Sequence, residues 1–124
     1  MDRPWMRVPT ITLDAPRAVE LARFYQRLLG YEMVVDEGDW VMLKDPAGGV
    51  GLSFQSEEHF TAPVWPATPG AQSMMMHLEV EVRDLAAATE WALECGARLA
   101  GYQPQQDVRV CLDPVGHPFC LFTG

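Results

Sequence analysis

Apolar and polar positions recur along this chain at two periods, and the change of period marks its elements. Residues 8–14 (VPTITLD) alternate and are rich in β-branched side chains, which predicts a strand. Pro16 then suits a helix start, where its missing N–H has no intrahelical partner to lose. Val19, Leu21, Ala22, Phe24, Tyr25, Leu28 and Leu29 follow at helical spacing and make one apolar face. Gly30 suits the left-handed C-terminal cap. Residues 31–36 (YEMVVD), 40–44 (WVMLK) and 50–55 (VGLSFQ) read as three more strands, parted by Glu37-Gly38-Asp39 and by Asp45-Pro46-Ala47-Gly48-Gly49. Strand parity sends Val41, Leu43, Leu52 and Phe54 toward the helix. The opposite face then carries Thr10, Thr12 and Asp14, Trp40 and Met42, and Ser53 and Gln55.

The second half follows the same plan. Residues 74–82 (MMMHLEVEV) predict a strand, with Met75, His77, Glu79 and Glu81 on one face and Leu78, Val80 and Val82 on the other. Asp84 can cap the next helix. Its apolar stripe is Leu85, Ala88, Trp91, Ala92 and Cys95, and Gly96 closes it. Residues 98–102, 107–112 and 118–122 are the remaining strands. Between the halves, residues 56–73 hold Pro63, Pro66, Pro69 and Gly70 with Phe60 and Trp65 among them. That is long for a structureless connection. Its aromatic residues favour an ordered segment: a lid, a linker or an interface.

Residues repeat as well as elements. Phe24 corresponds to Trp91 at an offset of 67, and Asp45-Pro46-Ala47-Gly48 to Asp113-Pro114-Val115-Gly116 at an offset of 68. A repeat of this length means two supersecondary units. The predicted fold is α+β, one domain over residues 1–124. A βαβββ unit at about 8–55 and another at about 74–123 form a curved mixed sheet. Its helices lie on the outer face and its concave trough suits a ligand.

Composition narrows the partners. The chain has 124 residues and carries nine Lys plus Arg against seventeen Asp plus Glu, a net charge of −8. Nucleic acid and anionic membrane need clustered positive charge, so neither is expected. No apolar run approaches a membrane span, and MDRPWMRVPT lacks the apolar core of a signal peptide. Three cysteines, Cys95, Cys111 and Cys120, with no C-x-x-C pair fit a reducing cytoplasm better than a disulfide framework.

The stretches VELARFYQRLLGYE, HLEVEVRDLAAATEWALECGA and LDPVGHPFCLF resemble the vicinal oxygen chelate superfamily. That superfamily includes glyoxalase I, the bleomycin and fosfomycin resistance proteins and the extradiol dioxygenases. The likeness is greatest to small bacterial glyoxalase-like domain proteins and spans residues 8–122. It implies the paired βαβββ fold, a homodimer and a ligand site in the trough. Enzymes of this type hold a divalent metal with His, Glu or Gln from the first and last strand of each unit. The resemblance places His77 at one such position, and the offset of 67 places Thr10 at its counterpart. Cys120 stands where relatives usually keep Glu. Its counterpart is Ser53 or, without a gap, Leu52. Thr10, Ser53, His77 and Cys120 are a poor shell for Mg or Mn, and only His77 and Cys120 suit a softer metal. The expectation is therefore no usual metal site. A divalent ion (Zn, Ni, Mn or Fe) on His77 and Cys120 is the alternative.

His77 with Glu79 is the sharpest chemical pair. It can act as a base or proton shuttle, or simply be a structural hydrogen bond. Arg109 is a candidate partner for Glu79. The expected ligand-binding residues are Thr10, Thr12, Trp40, Met42, Ser53, Gln55, His59, Trp65, Met75, Arg109 and Cys120. Trp65 reads as a lid or an anchor, and His117 as a turn-stabilising residue. Two functions stand against each other: a binding protein for a small organic molecule, and a lyase, isomerase or dioxygenase-type enzyme using metal or His77 and Glu79. A purely structural or regulatory domain is the third reading.

Overall fold

In a computed structural model describing residues 1–124, the chain divides into two compact units, Met1–Glu58 and His59–Gly124. The first contains strand β1 (Thr10–Ala15), helix α1 (Ala18–Leu29), and strands β2 (Glu32–Asp36), β3 (Trp40–Lys44) and β4 (Gly51–Ser56). Its sheet order is β1-β4-β3-β2. β1 runs parallel to β4, and the other pairs are antiparallel. The predicted parity holds. Val41, Leu43, Leu52 and Phe54 are buried, as are Leu21, Ala22, Phe24 and Tyr25 of α1. Tyr25 stacks on Phe54 with ring centroids 5.7 Å apart, and Phe24 meets Tyr25 edge-on.

Helix α1 starts two residues later than Pro16 suggests. Its N-cap is Arg17, whose side chain makes no capping bond. Ser56, at the end of β4, supplies the acceptor instead: the Ala18 N–H donates to its Oγ at 3.0 Å. The cap is thus built by tertiary contact, which local sequence does not reveal. Gly30 takes the left-handed conformation (φ 71°) as expected, and its N–H returns to the Gln26 carbonyl.

The second unit contains β5 (Leu78–Val82), helix α2 (Leu85–Cys95), β6 (Arg98–Leu99), β7 (Val108–Leu112) and β8 (Pro118–Thr123). Its sheet order is β5-β8-β7-β6, with β5 and β8 parallel. Asp84 caps α2 as predicted, accepting from the Ala87 N–H at 3.0 Å. Asp84→Ala should therefore cost about 1 kcal/mol in urea unfolding. A loss below 0.3 kcal/mol, on the order of measurement noise, would mean that water replaces the cap fully.

Three expectations for this half need correction. β5 does not begin at Met74. Met75 has φ 59°, a left-handed conformation that ends any strand, and the Met76 N–H turns back to the Met74 carbonyl. Met75 is 84% exposed and does not belong to the face of Glu79. β6 is two residues long, because Ala100 leaves the ladder while its N–H still bonds to the Val110 carbonyl. Trp91 is 43% exposed, and Ala92 is the buried residue of α2. The helix meets its sheet through the fully buried Ala92, and the indole keeps solvent access.

The linker has no helix or strand, and residues from His59 onward belong to the second unit. Trp65 ties it down: the indole N–H donates to the Tyr102 carbonyl at 3.4 Å, and the Trp65 and Tyr102 rings lie 6.1 Å apart.

Candidate functional site

Sheet register decides which side chains meet. Glu79 pairs with Cys120, and Cys120 with Val110. The next row is Glu81, Phe122 and Val108. Directly paired residues point to the same side of a sheet. One face therefore has an acidic edge on β5 and an apolar floor on β8 and β7. Trp65 packs on that floor, against the cluster of Ala100, Val110 and Cys120, with Val108 and Leu112 alongside. The other face carries Cys111, Phe119 and Leu121, all buried, and α2 packs on β7 and β8.

Arg109 is on the wrong face to partner Glu79. It pairs with Leu121, which pairs with Val80. Its guanidinium donates to the Gln106 and Val108 carbonyls, each at 2.9 Å. Arg98 does share a row with Leu112 and Pro118, but at the far edge, on β6. The acidic β5 edge has no cation opposite it in its own rows.

His77 directly precedes β5. Its Nε2 lies 2.7 Å from Glu79 Oε1, and both side chains keep solvent access. Cys120 is 9% exposed and gives its S–H to the same carboxylate. One donor atom from each of His77, Glu79 and Cys120 falls within 4.8 Å of the others. Burial first, then the charge of Glu79 and the hydrogen bond to it, push the Cys120 thiol up to about 11. Burial above all pushes Cys111 up to about 11 as well; Cys120 adds to this and Arg109 opposes it. Cys120 is therefore a thiol at neutral pH, poorly suited to act as an unaided nucleophile.

The first unit places its candidates on one face too. Thr12, Ser53 and Met42 form one row, and Asp14, Gln55 and Trp40 the next. Thr10 Oγ1 and Ser53 Oγ are hydrogen-bonded at 2.6 Å. This row identifies Ser53, not Leu52, as the counterpart of Cys120. Thr12–Ser53 and Glu79–Cys120 are paired alike, at an offset of 67. Their partners Met42 and Val110 are 68 apart, and the offset returns to 67 at Ser53 and Cys120 because the first unit's turn is one residue longer. The hydroxyl pair is neutral and already satisfied internally. It offers a metal neither an imidazole nor an anion.

His59 is exposed at the start of the second unit, outside the His77 cluster. His117 has the structural role expected of it: its Nδ1 lies 2.7 Å from Asp113 Oδ2, and its ring lies 5.4 Å from Phe60. Sequence reasoning missed the apolar floor. Its signal was the repeat itself, since Trp40 and Met42 plus 68 give Val108 and Val110.

Residues 10–122 match the family described as the glyoxalase-like domain, and the chain belongs to that family. Its fold is that of the glyoxalase/bleomycin resistance/dioxygenase proteins, within the vicinal oxygen chelate superfamily. A glyoxalase/bleomycin resistance protein/dioxygenase family enzyme from Burkholderia phytofirmans PsJN is similar at 15% identity and a TM-score of 0.73, over 95% of this chain and 98% of that one. A glyoxalase-related enzyme from Fulvimarina pelagi is similar at 20% identity and a TM-score of 0.68, over 97% of this chain and 89% of that one. The glyoxalase family protein from Enterococcus faecalis is similar at 20% identity and a TM-score of 0.66, over 94% and 96%. At such identities the likeness concerns the fold alone. No curated protein matches the chain. No helix is long and apolar enough to cross a membrane.

Proposed function

We propose that this protein binds a small organic molecule on the sheet face that carries Glu79, Cys120 and Val110. The observation that carries the reading is the position of Trp65 on that face. An aromatic ring, an apolar floor and a few convergent polar groups are the usual make-up of a small-molecule site. The ring and the floor take up flat apolar surface. His77 and Glu79, at the edge, orient a polar end. Glu79 and Glu81 line that edge while Arg109 faces away, so the ligand is neutral or cationic. The chain's net charge of −8 acts in the same direction.

The test is thermal shift against planar heteroaromatic compounds, half bearing an amine and half a carboxylate. Binding to the folded state at a hundredfold excess over Kd is worth about 2.7 kcal/mol, an upward Tm shift of several degrees. Amine-bearing and neutral compounds should give the hits. Trp65→Ala and Glu79→Gln should each weaken them tenfold or more, and Arg109→Ala should not. Hits confined to carboxylates, or indifferent to Trp65 and Glu79, would refute the assignment.

The alternative is an enzyme of the lyase, isomerase or dioxygenase type, and the 2.7 Å His77–Glu79 contact favours it. Such a pair can take a proton from a bound substrate and hold it. Proton exchange at an acidic C–H of a confirmed ligand, followed in deuterated water, distinguishes catalysis from binding. Exchange lost in His77→Ala with binding retained would establish it.

A further inference from the structure

We infer that Gln103 is a positioning residue that fixes Trp65 over the ligand face, its side-chain amide standing in for a peptide unit at the edge of β7. What that position is worth rests on the small-molecule reading; the position itself rests on hydrogen bonds alone. β6 pairs with β7 at Arg98–Leu112 and Leu99–Cys111, so Ala100 is the next residue to face Val110. A hydrogen-bonded antiparallel pair exchanges two N–H···O bonds. Here one is direct, from the Ala100 N–H to the Val110 carbonyl at 3.0 Å. The return path runs through the Gln103 side chain. Its Oε1 accepts from the Val110 N–H at 2.9 Å. Its Nε2 donates to the Ala100 carbonyl at 2.9 Å and to the Val110 carbonyl at 2.8 Å.

The two residues bridged in this way, Ala100 and Val110, belong to the floor on which Trp65 packs. Between Ala100 and Gln103 lies Tyr102, whose carbonyl accepts the Trp65 indole N–H. One amide therefore braces both the surface beneath the ring and the acceptor at its edge. The residue type is demanding, because a primary amide carries a donor and an acceptor side by side as a peptide does. Leucine fills the volume with neither. Glutamate sets an anion against two carbonyl oxygens, and asparagine falls one methylene short. A ring held in place before binding leaves less for the ligand to order, so loss of the brace weakens binding through Trp65.

Fluorine NMR of the full chain labelled with 5-fluorotryptophan reads the ring directly. The chain has four tryptophans, and Trp65→Phe assigns the resonance of Trp65. Gln103→Leu and Gln103→Glu should move that resonance and enlarge its solvent isotope shift, while Trp5 and Trp40 of the first unit keep theirs. Gln103→Asn should move it the same way by less. Gln105→Leu, at an exposed neighbour in the same loop, should leave it in place. A brace that served stability alone would lower the urea midpoint without moving the Trp65 resonance of the folded chain, and an unmoved resonance overturns the inference. Thermal-shift hits should bind Gln103→Leu about tenfold more weakly, and adding Gln103→Leu to Trp65→Ala should cost no more than about twofold further. Losses that multiply would mean that Gln103 acts by another route and overturn it as well. A displaced resonance with no hits at all refutes the small-molecule reading and leaves the brace standing.

Discussion

Asp113→Ala should destabilise the protein by about 3–5 kcal/mol, because it strips a buried turn of its acceptor. Asp113 is fully buried between β7 and β8. Its Oδ1 accepts from the N–H groups of Val115 and His117 at 3.1 and 2.9 Å, and its Oδ2 meets His117 Nδ1 at 2.7 Å. Alanine takes the acceptor of these groups out of a buried position, at about 1–3 kcal/mol for each unmet buried group. No buried side-chain nitrogen or oxygen in the chain lacks a partner, and the variant would take the His117 ring nitrogen's partner away. Asp45 provides the control. It makes the same turn in the first unit, accepting from the Ala47 and Gly49 N–H groups at 2.8 and 3.1 Å, but near solvent. Asp45→Ala should cost about 1 kcal/mol, because water replaces the carboxylate. Urea unfolding of the two variants side by side measures the difference. Equal losses would mean that burial is irrelevant to how this turn works.

Phe54→Ala should cost about 3–5 kcal/mol through the cavity it leaves. Phe54 is fully buried, stacks on Tyr25 and pairs with Val41 and Leu13 across its neighbouring strands. It therefore holds α1 against β4 and β3 together. Against a typical total of about 5–15 kcal/mol, such a loss moves the urea midpoint far to the left. Phe54→Leu keeps most of the volume and should lose about half as much. A loss under 1 kcal/mol, roughly that of a surface change, would show that α1 collapses to fill the gap.

Much of this fold was legible because period and repeat are local properties. The alternation in Trp40–Lys44, the helical stripe of α1 and the glycine stops at Gly30 and Gly96 all lie where they were expected. Their cause is which side chains can share a face. Met74-Met75-Met76 misled for the same reason, since an apolar run carries no mark of the left-handed turn at Met75. Arg109 shows a second limit. Its parity with Cys111 was right, but parity within a strand does not say which face is which. That depends on register across β7 and β8, set by the length of the Asp113 turn. The site divides in the same way. His77, Glu79 and Cys120 were each visible as candidates, whereas their convergence required the pairing of Glu79 with Cys120.

The two units place like positions alike, yet Thr10 and Ser53 stand where the second unit has His77 and Cys120. All four lie off the sheet faces that hold α1 and α2, although Ser53 and Cys120 are themselves buried. A duplicated unit of this kind separates inheritance of shape from inheritance of reactivity. One unit carries a pair of hydroxyls bonded to each other, and the other an imidazole, a carboxylate and a thiol in close reach.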